Sequence, residues 1–95
     1  MGVYFMASIQ IKDEQDYQQY LDRADDIFTR YRGTYLAVDK QVEVLEGSWD
    51  YSRAVLIHFE SRADFDAWYR SEDYQTILQF RLSAAKCDSI LIEGK

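Results

Sequence analysis

Residues 59–74 read FESRADFDAWYRSEDY, and this stretch decides the fold. Phe59 ends an apolar run, and Ser61 follows as a helix cap with Asp64 three residues on, the spacing of a capping box. Phe65, Trp68 and Tyr69 then fall at i, i+3 and i+4, one face of a helix. Ser71 is a second cap, with Glu72 and Asp73 behind it suiting the positive end of a new helical segment. Beyond it Tyr74, Ile77, Leu78, Leu82 and Ala85 form a stripe that also contains Arg81. The segment therefore predicts a strand end, a short aromatic helix, a break at Ser71 and a second helical stretch.

Working outward, Arg53–Phe59 is a strand whose Ala54-Val55-Leu56-Ile57 centre is apolar on both parities, as a strand covered on both sides would be. Cys87–Glu93 is the last strand, with Ile90 and Ile92 on one face and Leu91 on the other. Val3–Ile11 is the first, with Val3, Phe5, Ala7, Ile9 and Ile11 on one face and Tyr4, Met6, Ser8 and Gln10 on the other. Asp13 caps a helix from Glu14 to Arg32 that carries Tyr17, Tyr20, Leu21, Ala24, Phe28 and Tyr31 at helical spacing, with Gly33 as a left-handed stop. Tyr35–Val38 and Val42–Glu46 flank Asp39-Lys40-Gln41 as either a hairpin or one bulged strand. Gly47–Ser52 is a loop carrying Trp49 and Tyr51. The order is β-α-β-β-α-β, the ferredoxin-like α+β arrangement, with an antiparallel sheet and helices on one face.

At 95 residues the chain makes a single domain spanning 1–95. The unalternating centre of Arg53–Phe59, with Tyr4 and Met6 opposite the clean face of the first strand, requires a cover on the second sheet face. The simplest cover is a second copy packed sheet to sheet, giving a homodimeric α/β barrel. The chain carries 17 acidic against 11 basic residues, a net charge of −6 that disfavours nucleic acid as a partner. No apolar run approaches the roughly 18 residues of a membrane span. The N-terminus shows no secretory signal, and a lone Cys87 suits a reducing compartment, so a cytoplasmic location is expected.

The chain also resembles a known family. Gly33-Thr34-Tyr35-Leu36, Val44-Leu45-Glu46-Gly47-Ser48-Trp49, Ile57-His58-Phe59-Glu60-Ser61, Ala67–Gln75 (AWYRSEDYQ) and Arg81 are together similar to a bacterial domain-of-unknown-function family of the dimeric α+β barrel superfamily. Relatives often carry proline where this chain has Glu60 and Glu72, a difference in turn rigidity. The resemblance implies the fold and the dimer, and no activity.

Candidate chemistry is sparse. His58 is the only histidine; it is a candidate proton-transfer residue or haem ligand, or a hydrogen-bonded sheet residue. Without a second His or Cys ligand no zinc site is expected, and with no glycine-rich phosphate loop no nucleotide cofactor is expected. Cys87 next to Asp88 reads as a packing residue rather than a nucleophile. Arg81 on an apolar stripe is either an anion clamp or one half of a salt bridge, with Glu46 as one possible acid. Arg53 carries the same ambiguity and leans structural. Tyr74, Tyr69 and Trp68 would either line a pocket for a planar ligand or fill the core.

Two functions follow. The first is a homodimer that binds a small aromatic or anionic molecule and acts on it without a cofactor, as an oxygenase or isomerase would, with His58 moving a proton and Arg81 and Tyr74 holding the ligand. The second is a non-catalytic ligand-sensing or interaction module. Convergence of His58, Tyr74 and Arg81 on one cavity would favour the first.

Overall fold

The computed structural model describes residues 2–95, in the order β1 (Val3–Ile11), α1 (Glu14–Thr29), β2 (Thr34–Asp39), β3 (Arg53–Phe59), α2 (Arg62–Tyr69), α3 (Glu72–Ala84) and β4 (Ala85–Glu93). The sheet is antiparallel throughout, in the order β2-β3-β1-β4. This is the ferredoxin-like arrangement, with the second helix of the expected pattern divided into α2 and α3. β1 and β3 run over the residues expected from their patterns.

Register explains the layering. Val3, Phe5, Ala7 and Ile9 of β1 lie opposite Phe59, Ile57, Val55 and Arg53 of β3, and the seven apolar members of these pairs are buried under the helices. The intervening residues Tyr4, Met6 and Ser8 lie opposite His58, Leu56 and Ala54 on the uncovered face, with Ile92 and Ile90 of β4 beside them. The helices contribute Tyr17, Ala24, Ile27 and Phe28 from α1, Phe65 and Trp68 from α2, and Tyr74, Ile77, Leu78 and Ala84 from α3 to the same core.

Ser71 joins two helices. Its hydroxyl donates to the Trp68 carbonyl at 2.8 Å, closing α2, and accepts from the Tyr74 amide at 3.0 Å, opening α3. Ser61 and Asp13 cap α2 and α1 in the same way, accepting from the Asp64 and Asp16 amides at 3.1 Å. Each such cap contributes about 1 kcal/mol.

Four expectations are corrected. α1 ends at Thr29 rather than Arg32. The left-handed residue is Arg32 (φ 65°), not Gly33. Gly33 is needed for space instead, because a β-carbon there would overlap the Phe28 and Phe59 rings. Val42–Glu46 is neither half of a hairpin nor part of a strand: β2 stops at Asp39, and its single register shift lies at Tyr35/Ala37. Without a strand to pair with, that stretch forms an exposed loop with Leu45 at its surface. Finally, Leu82 faces outward, and the inward stripe of α3 runs through Tyr74, Ile77, Leu78, Arg81 and Ala84.

Candidate functional site

The cap at Ser71 sets the azimuth of α3, so Tyr74 in its first turn is wholly buried and Arg81, two turns on, points the same way. From α1, Tyr20 meets Tyr74 with their hydroxyls 2.8 Å apart. The Arg81 guanidinium carbon lies 5.7 Å from the centre of the Tyr20 ring, a cation–π distance. Arg53 enters from the start of β3 on the same sheet face, and its guanidinium carbon lies 5.9 Å from the Tyr17 ring. The Tyr17 and Tyr20 rings are themselves 5.6 Å apart. Two arginines and a row of tyrosines thus meet between α1, α3 and the sheet.

Arg81 is only 3% exposed. A guanidinium stays charged at any pH a protein survives, and burying it unpaired costs several kcal/mol. Yet the ion pairs among the described residues are Arg30–Asp73, Arg62–Asp66 and Arg70–Asp66, all at the surface. Neither Arg81 nor Arg53 takes part in one, and the Nε atoms of both are buried without a hydrogen-bond partner. Both line a cavity of about 20 Å³ with Tyr17, Tyr20, Tyr35, Phe5, Ala7, Ile9, Val55 and Ile57, and no carboxylate or imidazole lines it. That space admits about one water, or one carboxylate oxygen in its place. Two outer clefts, of about 290 and 510 Å³, open beside it and share Arg53, Gln18 and Leu21.

The tyrosine hydroxyls here are donors. Burial pushes Tyr17 up to about 12, with Arg53 opposing the rise. Burial likewise raises Tyr20, against Arg81, and raises Tyr74, where the neighbouring Tyr20 adds to the effect. Desolvation, followed by the charge of Asp25, raises Tyr35 at the cleft wall. All four remain protonated at neutral pH, and one O–H of the Tyr20–Tyr74 pair is already given to the other.

The remaining expected site residues fall in different places. His58 lies on the uncovered sheet face with its ring 5.0 Å from that of Tyr4, so the sheet separates it from Arg81 and Tyr74. The joint role given to these three under the first function is therefore corrected, since they do not converge on one cavity: strand parity alternates between faces, and His58 shares the parity of Leu56. Glu46 sits in the exposed loop beside Val44, Leu45 and Trp49, and so is not the acid that pairs Arg81. Trp68 is packed 4.2 Å, centre to centre, from Tyr74 and 5.4 Å from Phe59; it belongs to the core. Tyr69 is half-buried, stacked on Phe65 at 5.5 Å and 5.7 Å from Tyr74. Cys87 is half-buried opposite Ile9; burial raises its thiol, with Arg81 opposing and Asp88 adding. Among the described residues no group of three or more His, Cys, Asp or Glu could hold a metal.

Arg53, Tyr17 and Tyr20 are the site residues the sequence reading undervalued. The signal was present, since Arg53 shares the parity of Val55 and Ile57 and the two tyrosines share the inward stripe of α1.

The family described as "Domain of unknown function (DUF1330)" matches residues 2–95, and the chain belongs to it. No curated protein matches significantly. Among solved structures, the chain is similar to a protein of unknown function from Rhodopseudomonas palustris, with 16% identity, TM-score 0.83, and 99% of this chain and 82% of that one covered. It is similar to a dimeric ferredoxin-like protein of unknown function from Jannaschia sp. CCS1, with 13% identity, TM-score 0.79, and 99% and 100% covered. It is also similar to a cofactor-independent oxygenase from Streptomyces nogalater, with 12% identity, TM-score 0.72, and 99% and 93% covered. At these identities the likeness is one of fold.

Proposed function

We propose that this protein is a homodimer that binds a small organic anion, with a flat or aromatic body, in the pocket between α1, α3 and the helix-side face of the sheet. The observation that carries this reading is Arg81: a charged group 3% exposed, without an acidic partner among the described residues, in a cavity whose other polar groups are Arg53 and tyrosine hydroxyls. A guanidinium that served only the core would need a carboxylate; one that serves a ligand awaits it. The anion's head group seats on Arg81 with Tyr20 and Tyr35 beside it, and its body lies in the outer clefts against Leu21 and Tyr17. Tyr74 acts through its hydrogen bond to Tyr20, and Tyr69 through its packing on Tyr74.

The same donors would stabilise an enolate or phenolate that forms on the ligand. Similarity in fold to a cofactor-independent oxygenase supports that extension, because a substrate that reacts without a cofactor must itself supply the electrons, as an anion does best. Two observations favour the non-catalytic alternative of a ligand-sensing module: His58 stands behind the sheet from Arg81 and Tyr74, and the deep cavity is lined by no carboxylate or imidazole to serve as base.

The dimer rests on the uncovered face. Leu36, Ile90 and Ile92 stand 52%, 56% and 41% exposed there or at its edge, around Met6 and Leu56. Similar structures described as dimeric support two such faces meeting. Tyr4 and His58 then belong to the subunit contact rather than to the pocket. Light scattering should give twice the 11.3 kDa chain mass, and Ile90→Asp with Ile92→Asp should return it to a single chain; a wild-type monomer at micromolar concentration would sink the dimer. The lone thiol leads us to assign a reducing, cytoplasmic setting.

The pocket is tested by thermal shift with benzoate and its substituted relatives. A ligand at 100 times its dissociation constant adds about 2.7 kcal/mol. Arg81→Met should remove the shift and His58→Ala should leave it. A shift that survives Arg81→Met in a folded variant refutes the assignment.

A further inference from the structure

We infer that the ligand is a doubly anionic molecule, a short dicarboxylate on a flat body, held by Arg81 at one end and Arg53 at the other. This rests on the anion-binding reading above and adds the second charge. Arg53 and Arg81 line one cavity, and each has a buried Nε atom with no hydrogen-bond partner. Each guanidinium also has its own aromatic support, Tyr17 under Arg53 and Tyr20 under Arg81. Like charges sharing a cavity of low dielectric repel each other, and nothing on its wall opposes them. The composition makes this pairing the more telling: a chain with net charge −6 has acids in excess, yet none lines this cavity.

Depth separates the two cations. Arg81, 3% exposed, touches only the inner cavity, whereas Arg53 is half-buried and lines both outer clefts as well. The inner space of about 20 Å³ takes about one water-sized group, so a carboxylate oxygen can enter while the ligand's body stays at the level of Arg53. A monoanion seated on Arg81 would leave Arg53 uncompensated at the neck. A second carboxylate on the same ring would satisfy it, and a paired guanidinium–carboxylate contact is among the strongest a protein makes. Glu14 lines one outer cleft and Asp25 the other; neither pairs with Arg53, and both confine a second carboxylate to the immediate neighbourhood of Arg53.

The test measures benzoate, phthalate, isophthalate and terephthalate by titration calorimetry at neutral pH on the wild type, Arg53→Gln and Arg81→Gln. At least one dicarboxylate should bind about ten-fold or more tighter than benzoate, a difference of about 1.4 kcal/mol. Arg53→Gln should lower dicarboxylate affinity by a larger factor than benzoate affinity and so erase that advantage. Arg53 is half-buried at a strand end, so this variant is expected to fold and decides the matter without relying on Arg81→Gln. Benzoate binding that depends on Arg81, with no dicarboxylate binding more tightly, overturns the second charge and leaves the anion pocket standing. A dicarboxylate advantage that persists in Arg53→Gln overturns the role of Arg53. If none of the four compounds binds, both this inference and the reading beneath it fail.

Discussion

The two faces of the sheet are built from alternate residues of the same strands, yet they have opposite chemistry. On β3, Arg53, Val55, Ile57 and Phe59 turn toward the helices, while Ala54, Leu56 and His58 turn away. The helix-side face is an aromatic interior interrupted by two unpaired guanidiniums. The open face is mixed, with exposed aliphatics on β4 and a Tyr4–His58 contact near the strand ends. Arg81 is a buried cation without an acid among the described residues, and the open face bears the exposed Ile90 and Ile92. Anion binding is accordingly proposed for the first side and association for the second.

The largest test of this division is Phe59→Ala. Phe59 is fully buried between Phe28, Phe65 and Trp68. Its loss should cost about 3–5 kcal/mol at any protein concentration in denaturant unfolding. Leu56→Ala on the other face should cost less at low concentration, and its cost should vary with protein concentration. Equal, concentration-independent losses would erase the distinction between the faces.

Next in size is Arg81→Met, which replaces a buried unpaired charge with an apolar chain of similar length. It should raise stability by about 1–4 kcal/mol while removing anion binding. A clear loss of stability would mean that Arg81 is already satisfied within the fold.

A smaller effect is expected in alkali. Burial raises the hydroxyls of Tyr17, Tyr20 and Tyr74 above their ordinary value of 10.0, so the folded state holds protons that the unfolded chain releases. The resulting stability is complete below about pH 10 and is lost as the pH rises toward and past 12 for Tyr17. Unfolding midpoints across pH 8–11 on the wild type and Tyr17→Phe would show it, the variant falling less. Smallest is Arg32→Gly. Arg32 holds a left-handed φ of 65°, and relieving it should add under about 1 kcal/mol to the thermal stability.

The parts of the fold that were legible in the sequence were governed by local chemistry. Period-two alternation located β1, a short apolar run located β3, and the hydroxyls of Ser61 and Ser71 located two helix starts within one turn of chain. Val42–Glu46 misled because alternation records a residue's own preference and not whether a strand is there to receive it. Gly33 misled for a related reason: the collisions that require it are with the Phe28 and Phe59 rings, whose positions over Gly33 are set by packing and not by local pattern. Arg81 was visible as an anomaly on its stripe, but its lack of an acid was not, since the partner of a side chain can come from any other element.

The amino-acid sequence alone determined the element order, the caps, the split at Ser71 and the apolar parity of β1, because these depend on neighbours within a few residues. Tertiary structure decided that Tyr20 meets Tyr74, that Arg53 and Arg81 share one cavity, and that His58 stands behind the sheet from both. Those relations bring together residues up to 54 positions apart, and only the packing of α1 and α3 over the sheet sets the distances on which their chemistry depends.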